Sequence, residues 1–208
     1  VCIDYTDLNQ ACRKEPFPVT HMDTMVYATA GHEMLTFMDA ASSFNQIKMY
    51  PPNQEKTVFI TKKGIYCYTA MPFGLRNAGA TYQGLVNDMC KDLIGDSMEV
   101  YIDDTVVKSL NAKDHVKHLA QTFEILENFN MKLNPSKCSF GISAGKFLGY
   151  MVTKRGIEAI QDQIEAIINL QPPRNRQEVQ RLIGRVAALN RFIARSSERC
   201  RPLYDLLR

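Results

Sequence analysis

The chain has 208 residues, of which 45% are hydrophobic and 23% are charged, and its formal net charge at pH 7 is +3. This composition is that of an ordinary globular protein, and it excludes a disordered or low-complexity chain. No run of eighteen or more apolar residues occurs, so the sequence predicts no membrane-spanning helix and no membrane partner.

The cysteines and the first residues bear on the compartment. Six cysteines are scattered without a C-x-x-C pair, which predicts reduced thiols rather than a zinc site or a disulfide framework. The opening segment VCIDYTDLNQ carries neither a secretory signal nor an initiating Met. We therefore expect an intracellular piece of a longer protein.

Charge is unevenly distributed along the chain. Residues 154–208 hold eleven of the 25 Lys and Arg residues but only six of the 22 Asp and Glu residues. A basic carboxy-terminal part suits a polyanionic partner, and a more acidic front part suits a cation-dependent site. On charge alone, a basic helix face exposed to solvent explains this distribution as well as a polyanionic partner does.

The first half of the chain combines helical and strand-like patterns. A helix is predicted over residues 23–31, where Met25 and Val26 lie on one face and Gly31 ends it. The apolar run 34–38 predicts a strand that ends at Asp39, and small residues follow at 40–43. Residues 57–61 and 65–70 predict a hairpin that turns at Gly64.

The second half contains longer helices. Periodic apolar residues predict helices over residues 78–93 and 112–129, the second capped by Asn111 and buried through Val116, Leu119, Phe123 and Leu126. Nearby His115 and His118 have the pattern of surface histidines rather than of metal ligands. A single strand is predicted over residues 146–152. Strands, hairpins and helices in this irregular order predict an α+β fold with an antiparallel sheet.

The carboxy-terminal part is helical and basic. Asn175 and Glu178 form a capping box after two prolines, which predicts the start of a helix. Its apolar residues form one stripe, and arginines gather on another face, where they could meet nucleic-acid phosphates. These arginines are Arg181, Arg185, Arg191 and Arg195.

Three carboxylates suggest the chemistry. Asp103 and Asp104 lie between two apolar, partly β-branched runs, which predicts a tight hairpin with both acids on its turn. Aspartate is a common turn residue, but a second adjacent carboxylate adds repulsion unless a cation is shared. With Asp39 at the end of a neighbouring strand, the three acids could hold two Mg²⁺ ions for phosphoryl transfer. This spacing leaves polymerases, nucleases and cyclases open.

Longer motifs narrow these alternatives. The sequence resembles the reverse transcriptases of Gypsy-type long-terminal-repeat retrotransposons, and looks closest to the plant members. The resemblance covers almost the whole chain and includes the Y-x-D-D box. The segments that carry it are VCIDYTDLNQAC, FMDAASSFNQIKM, TVFITKKGIYCYTAMPFGLRNAGATYQ, VYIDD, LNPSKCSFG, KFLGYMVTKRGIE and GRVAALNRFIARSSERCRPL.

The resemblance implies a fold and a division of the chain. The expected fold is a right-hand polymerase palm with a ferredoxin-like core, partial fingers and a helical thumb. Residues 1–14 and 47–77 would be partial fingers, residues 15–46 and 78–153 the palm, and residues 154–208 the thumb and the start of the connection.

The resemblance also implies the roles of the site residues. Asp39, Asp103 and Asp104 would be the catalytic aspartates, with Asp39 and Asp103 as the main Mg²⁺ ligands, or Mn²⁺ as a substitute. The residues expected to bind the nucleotide are Ala40, Ser42, Ser43, Phe44, Phe73 and Gly74. The residues expected to form the primer grip are Phe147, Leu148, Gly149 and Tyr150. Phe44 would exclude a ribose 2′-hydroxyl; as an alternative, it is a core aromatic.

The expected partners are an RNA or DNA template with an annealed primer, dNTPs and the remainder of the polyprotein. That remainder would supply a preceding fingers strand, ribonuclease H and integrase, and the expected location is a cytoplasmic particle or the nucleus. The sequence is compatible with three functions: an RNA-directed DNA polymerase, a catalytically silent nucleic-acid-binding fragment, and a two-metal nuclease. The nuclease is disfavoured because it has no need of an aromatic gate at Phe44.

Overall fold

The structure is a computed structural model that describes residues 3–15 and 21–207. Cys2, one of the six predicted thiols, lies outside the described residues. In the described part no helix is both long enough and apolar enough to cross a bilayer.

A four-stranded antiparallel sheet forms the centre of the fold, in the order β4-β5-β1-β6. A two-stranded sheet pairs β2 with β3, and a three-stranded sheet runs β7-β8-β9. The strands are β1 Met34–Asp39, β2 Phe59–Thr61, β3 Gly64–Tyr66, β4 Met98–Tyr101, β5 Asp104–Ser109, β6 Ser139–Ile142, β7 Ala144–Phe147, β8 Tyr150–Thr153 and β9 Gly156–Glu158.

Helices cover the sheet and form the carboxy-terminal part. They are α1 Thr6–Ala11, α2 Met22–Thr29, α3 Pro51–Gln54, α4 Ala78–Met89, α5 His115–Asn128, α6 Gln161–Ile168, α7 Arg176–Ala188 and α8 Ser196–Asp205. The predicted N-cap is confirmed at α7, where Asn175 Oδ1 accepts from the Glu178 N–H at 2.9 Å. Glu178 Oε2 in turn accepts from the N–H of Arg174, the residue before the cap, at 2.7 Å.

The central sheet buries both of its faces. On one face Met38, Val100 and Val107 pack with helices α4 and α5. On the other face Leu35 and Val106 pack with α2 and with the β7-β8 hairpin. Successive strand residues point to opposite faces, so neighbours such as Val106 and Val107 enter different cores. This double burial fixes the register of β1 and β5, and hence the positions of the acids at their ends.

Helix α5 differs from its prediction. Val116 is 76% exposed and Phe123 is 41% exposed, whereas His115 and Thr122 are buried. His115 lies between two hydroxyl groups of the sheet, with Nε2 at 2.7 Å from Thr36 Oγ1 and Nδ1 at 2.8 Å from Ser109 Oγ. The predicted inward face was right for Leu126, which is buried, and for Leu119, which packs against the core, and it was wrong for Val116 and Phe123. The surface location predicted for His115 was also wrong, because the imidazole is buried where two hydroxyl groups satisfy it.

Two further predictions were wrong. The predicted strand 146–152 is a tight hairpin, because Leu148 and Gly149 adopt φ of +48° and +85° and turn the chain between β7 and β8. Asn111 does not cap a helix through its side chain; its Nδ2 donates to Asp114 Oδ2 at 3.4 Å instead.

Candidate active site

The β4-β5 hairpin carries two of the three acids. Its two-residue turn is Ile102-Asp103, because Tyr101 pairs with Asp104 in the register of the two strands. The prediction that both acids lie on the turn is therefore corrected: Asp103 lies on it, and Asp104 begins β5. Ile102 has φ of +50°, an uncommon conformation for a β-branched residue that stores strain at this turn.

Strand pairing places the third acid beside them. Asp39, the last residue of β1, pairs directly with Asp104 of β5. Cβ atoms of directly opposite residues in an antiparallel pair lie about 4.5–5.5 Å apart. Burial raises the pKa of Asp104, and the charges of Asp103 and Asp39 raise it further. The three carboxylates therefore share one electrostatic environment.

The same site contains a polar atom without a partner. Asp103 Oδ1 is buried and has no hydrogen-bond partner. Within residues 3–15 and 21–207, no three His, Cys, Asp or Glu side chains form a group tight enough to hold a metal ion as placed. The donor set nevertheless fits a divalent cation, because hard cations take carboxylate oxygens and would remove both the orphaned oxygen and the repulsion.

Lys137 is a site residue that the sequence reasoning missed. Its Nζ lies 3.3 Å from Asp39 Oδ2 and 3.4 Å from Oδ1, and the lysine side chain is 62% exposed. A short 3₁₀ helix, Pro135–Lys137, brings it there, and the Asn134 N–H donates to the Asp39 carbonyl at 2.9 Å. The only signal was its position within the LNPSKCSFG segment. Lys137 balances the charge of Asp39 and would compete with a cation for it.

The sequence reasoning also missed Gln83 of α4, whose side chain supports the turn of the β4-β5 hairpin. Its side chain is buried in helix α4, where Oε1 accepts from the Ile102 N–H at 2.5 Å and Nε2 donates to the Val100 carbonyl at 3.2 Å. Nε2 also donates to Asn87 Oδ1 at 2.8 Å. The amide thus fixes the backbone on both sides of Tyr101. No local pattern distinguishes this glutamine from a surface one.

The segment after Asp39 forms one wall of the site. Ala40 forms an isolated bridge with Leu133, and the Ala41 N–H donates to the Lys132 carbonyl at 2.8 Å. Ser42 is exposed with φ of +50°, and Ser43 is buried at the start of a 3₁₀ helix. The segment after Asp39 is therefore tied by backbone hydrogen bonds to the chain around Lys132 and Leu133.

The structure brings Phe44 and Phe73 together. Their ring centroids lie 5.0 Å apart, and the Phe44 ring also meets Tyr82 edge-on at 5.8 Å. Phe44 is half-buried at the edge of the core, whereas Phe73 is 57% exposed. Gly74 follows with φ of +96°. Phe44 is thus a core-edge aromatic, and its role beside a nucleotide stays a prediction.

The expected primer-grip residues form the β7-β8 hairpin. Phe147 is buried and contacts Phe37 of β1 at 6.0 Å between ring centroids. Leu148 and Gly149 form the turn, and Tyr150 begins β8. A pocket of about 350 Å³ lies between this hairpin and the acids, and its lining includes Asp39, Asp104, Lys137, Lys146 and Phe147.

The predicted arginine stripe is not continuous. Helix α7 ends at Ala188, so Arg191 and Arg195 lie beyond it. Arg181 is exposed, Arg185 Nη1 donates to the Ala166 carbonyl at 2.5 Å, and Arg195 lies 3.8 Å from Glu198. Arg191 pairs with Asp23 of α2 at 3.1 Å. The prediction of four arginines on one helix face was wrong because α7 ends before Arg191 and Arg195.

A comparison with protein families shows to which family the chain belongs. The family model described as reverse transcriptase (RNA-dependent DNA polymerase) matches residues 1–152. This chain belongs to the reverse transcriptase family. Members of the family use divalent metal ions, in keeping with the oxygen donors of Asp39, Asp103 and Asp104.

Two similar proteins place this reverse transcriptase domain among transposon polyproteins. The transposon Tf2-3 polyprotein of Schizosaccharomyces pombe is 28% identical over 206 residues, which is 99% of this chain and 16% of the polyprotein. The Pol polyprotein from transposon 297 of Drosophila melanogaster is 32% identical over 208 residues, which is 100% of this chain and 20% of the polyprotein. The chain thus spans about a sixth to a fifth of these relatives. They confirm the predicted retrotransposon polyprotein, and neither comes from a plant.

A solved reverse transcriptase shares the fold. The foamy viral protease-reverse transcriptase in complex with double-stranded DNA matches with a TM-score of 0.89 and 24% identity, over 98% of this chain and 36% of that one. At this identity the likeness concerns the fold alone. The predicted α+β polymerase palm is confirmed.

Proposed function

We propose that this chain is the polymerase part of an RNA-directed DNA polymerase that adds dNTPs to a primer 3′-hydroxyl on an RNA or DNA template. The observation that carries the proposal is the meeting of Asp39 with Asp103 and Asp104 at the ends of β1 and the β4-β5 hairpin, in a reverse transcriptase family member. In the proposed reaction the 3′-hydroxyl oxygen bonds to the α-phosphorus of the dNTP, and pyrophosphate leaves.

Asp39 and Asp103 would hold two Mg²⁺ ions, or Mn²⁺ in their place, with the Ala40 carbonyl assisting and Asp104 at the periphery. When bound, such ions stabilise charge on the attacking and leaving oxygens. One support is Asp103 Oδ1, which is buried without a hydrogen-bond partner and could coordinate a cation. Another is the raised pKa of Asp104, because a cation would offset the repulsion from Asp103 and Asp39 that adds to the effect of burial. Lys137 would be displaced from Asp39 when a cation binds.

The remaining wall residues would position the nucleotide. The backbone of Ser42 and Ser43 would lie under the triphosphate, and Phe44 would exclude a ribose 2′-hydroxyl. Phe73 and Gly74 would contact the nascent base pair and the sugar. The contact of Phe44 with both Phe73 and Tyr82 supports this assignment, because a gate must hold its ring in one orientation.

The proposed division of the chain follows the same model of function. Residues 1–14 and 47–77 would be partial fingers, residues 15–46 and 78–153 the palm, and residues 154–208 the thumb and start of the connection. Phe147, Leu148, Gly149 and Tyr150 would grip the primer, and Arg181 would meet duplex phosphates. We further propose that the element is of the Gypsy type with plant affinity, and that the polyprotein supplies the neighbouring domains.

Primer extension tests the proposal. The 208-residue chain and the parent polyprotein are each incubated with a labelled primer on a template, dNTPs and Mg²⁺. Asp103→Asn is expected to reduce incorporation by at least about a hundredfold, because it removes a carboxylate charge at the reacting centre. Asp96→Asn, at an exposed turn before β4, is the matched control and should retain activity. Near wild-type incorporation by Asp103→Asn would contradict the assignment.

A second candidate is a nucleic-acid-binding domain without catalysis. It is favoured by the ion pair of Lys137 with Asp39, which satisfies that acid without a metal, and by the exposed Arg181. It predicts binding to duplex that weakens steeply as salt rises, with no change in primer length. Lengthened primers would exclude it, and shortened primers would instead indicate a nuclease.

A further inference from the structure

Arg191 does not have the exposed guanidinium group expected of an arginine that binds phosphate. It lies in the 3₁₀ turn Asn190–Phe192 that follows α7, and its side chain is only 20% exposed. One guanidinium nitrogen, Nη2, lies 3.1 Å from Asp23 Oδ1. The other, Nη1, is buried without a hydrogen-bond partner. This guanidinium is therefore turned into the protein.

Two aromatic rings hold the same group. The guanidinium carbon of Arg191 lies 5.0 Å from the centre of the Tyr27 ring and 4.6 Å from that of Tyr150. Asp23 and Tyr27 are one helical turn apart on α2, so they present one face to the arginine. Tyr150 also meets the ring of Phe192, the next residue after Arg191, at 6.2 Å. We call Asp23, Tyr27, Tyr150 and Arg191 the arginine clasp.

The clasp joins three elements that are distant in sequence. Tyr27 and Asp23 belong to α2, which packs on the central sheet. Tyr150 belongs to the β7-β8 hairpin, and Arg191 belongs to the 3₁₀ turn that follows α7. Burying a guanidinium nitrogen without a partner costs free energy, which the two cation–π contacts and the ion pair offset. A planar cation is required for this stacking, and lysine would not reproduce it.

We propose that Arg191 is a positioning residue that fixes the β7-β8 hairpin and the end of α7 in the arrangement that receives a primer–template duplex. This inference rests on the proposed function, and it gives Arg191 a role other than the phosphate contact that the sequence predicted. Through Tyr150, the clasp sets the orientation of the hairpin that carries the expected primer-grip residues. The acids at Asp39 and Asp103 lie outside it.

The two roles predict opposite effects for a change at Asp23. If Arg191 met phosphates, Asp23→Lys would strengthen duplex binding, because an acid that competes for the arginine is replaced by a cation. If Arg191 acts through the clasp, Asp23→Lys repels it from α2 and weakens binding. Arg191→Gln weakens binding in both cases, but only a lost phosphate contact lowers the slope of log Kd against log salt, by about one.

The experiment measures duplex binding and amide exchange on the full chain. Fluorescence anisotropy with a labelled primer–template gives Kd over a range of salt concentrations for wild type, Arg191→Gln, Asp23→Lys and Arg181→Gln. Hydrogen–deuterium exchange on the chain without nucleic acid follows the amides of residues 147–152. Arg181→Gln is the comparison variant for a lost phosphate contact: it removes the same charge from an exposed position on α7, so it should lower the salt slope by about one and leave exchange at residues 147–152 at the wild-type rate.

We expect Arg191→Gln and Asp23→Lys each to raise the Kd for duplex about fivefold, which is the effect of losing one or two cation–π contacts. Amide exchange at residues 147–152 should become faster by a similar factor. The salt slope of Arg191→Gln should equal that of wild type. In primer extension the KM for primer–template should rise with kcat unchanged. Arg191→Lys should fail to restore either measurement, because it lacks the planar group.

Tighter binding by Asp23→Lys, or unchanged exchange at residues 147–152 in both variants, would overturn the clasp. If Arg191→Gln does not fold, the sign of the effect of Asp23→Lys decides. A wild-type chain that neither binds duplex nor extends a primer would contradict the proposed function instead. The exchange measurement would still report on the clasp in that case, because it needs no nucleic acid.

Discussion

At the scale of single residues, the turn that presents Asp103 depends on the amide of Gln83. Ile102 is held at a positive φ, which costs about 1–3 kcal/mol for a residue of its kind. The Gln83 side chain accepts from the N–H of Ile102 and donates to the carbonyl of Val100, two backbone groups that water does not replace in this buried position.

Gln83→Met tests this support. It keeps the length of the side chain but leaves two backbone groups unsatisfied, so we expect a loss of about 1–3 kcal/mol in the free energy of unfolding. Urea titration measures it, and amide exchange at residues 100–104 should rise as well. Gln121→Met on the exposed side of α5 is the control and should change stability by less than about 0.5 kcal/mol. Equal stability of the two variants would contradict the role of Gln83.

Gly145 controls how closely the β7-β8 hairpin approaches the central sheet. A Cβ at this position would lie 2.3 Å from Cε2 of Phe37, whose ring also contacts Phe147. An added methyl group would therefore overlap the Phe37 ring, which packs against Phe147 beside the strand that ends at Asp39.

Gly145→Ala is expected to destabilise the chain by about 1–3 kcal/mol through this overlap. Gly184→Ala provides the matched control. No atom lies within 4 Å of its added Cβ, and it lies inside helix α7, so the change should stabilise by about 0.5–1 kcal/mol. Thermal unfolding of the two variants distinguishes them by opposite signs. A melting temperature for Gly145→Ala at or above that of wild type would show that the hairpin does not pack as described.

At the scale of elements, helix α5 is tied to the sheet by a polar network rather than by a full apolar face. Ser109 Oγ lies 2.8 Å from both His115 Nδ1 and His118 Nδ1, and Thr36 Oγ1 accepts from the Gly141 N–H at 3.1 Å while contacting His115. The network therefore links α5 with β1, β5 and β6, the strands around Asp39.

This network makes stability depend on pH. Burial lowers the pKa of His115, and His118 lowers it further, so the unfolded chain binds this proton more readily than the folded chain. The free energy of unfolding should therefore be greatest above the ordinary histidine pKa of about 6.5 and should fall as pH falls below it. The pKa of His32 is lowered by burial as well, and it adds to the same trend.

His115→Gln should reduce the loss of stability between about pH 7 and pH 5 while leaving the contribution of His32. Denaturant titrations at several pH values measure this slope. His21→Gln, at an exposed position before α2, should retain the wild-type slope. An unchanged slope in His115→Gln would mean that the buried imidazole does not govern acid sensitivity.

At the scale of the whole molecule, the candidate site couples cation binding to folding. Asp39 and Asp104 are brought together only when β1 pairs with β5, so a cation held there binds the folded chain and not the unfolded one. Burial and, after it, repulsion from Asp103 and Asp39 raise the pKa of Asp104, and a bound cation would relieve the repulsion.

Mg²⁺ at ten times its Kd should stabilise the wild-type chain by about 1.4 kcal/mol, and its removal by a chelator should reverse the shift. Asp39→Asn should abolish this dependence in thermal unfolding scans. Asp162→Asn is a close control, because Asp162 is also paired with an exposed lysine, Lys146, at 2.9 Å, and it should respond like wild type. Equal responses of the two variants would place the cation elsewhere.

The sequence alone determined the elements that depend on neighbouring residues. The Y-x-D-D hairpin and the N-cap at Asn175 are formed by contacts within a few residues, so their patterns predicted them. The apolar run before Asp39 predicted a strand, although its partners β5 and β6 are distant in sequence. The same ordered motifs identified the reverse transcriptase family and the α+β palm before any contact was known.

Only the tertiary structure decided which groups meet across long separations. Lys137 pairs with an acid 98 residues away, Gln83 supports a turn 19 residues away, and Arg191 turns from solvent to Asp23 and two tyrosines. Sequence periodicity placed Leu119 and Leu126 of α5 correctly but misplaced Val116 and Phe123, because it could not show that the sheet satisfies a buried His115. Periodicity reflects only which residues along a helix are polar or apolar. These positions are set by specific hydrogen bonds and ring contacts, which form only when distant elements pack together.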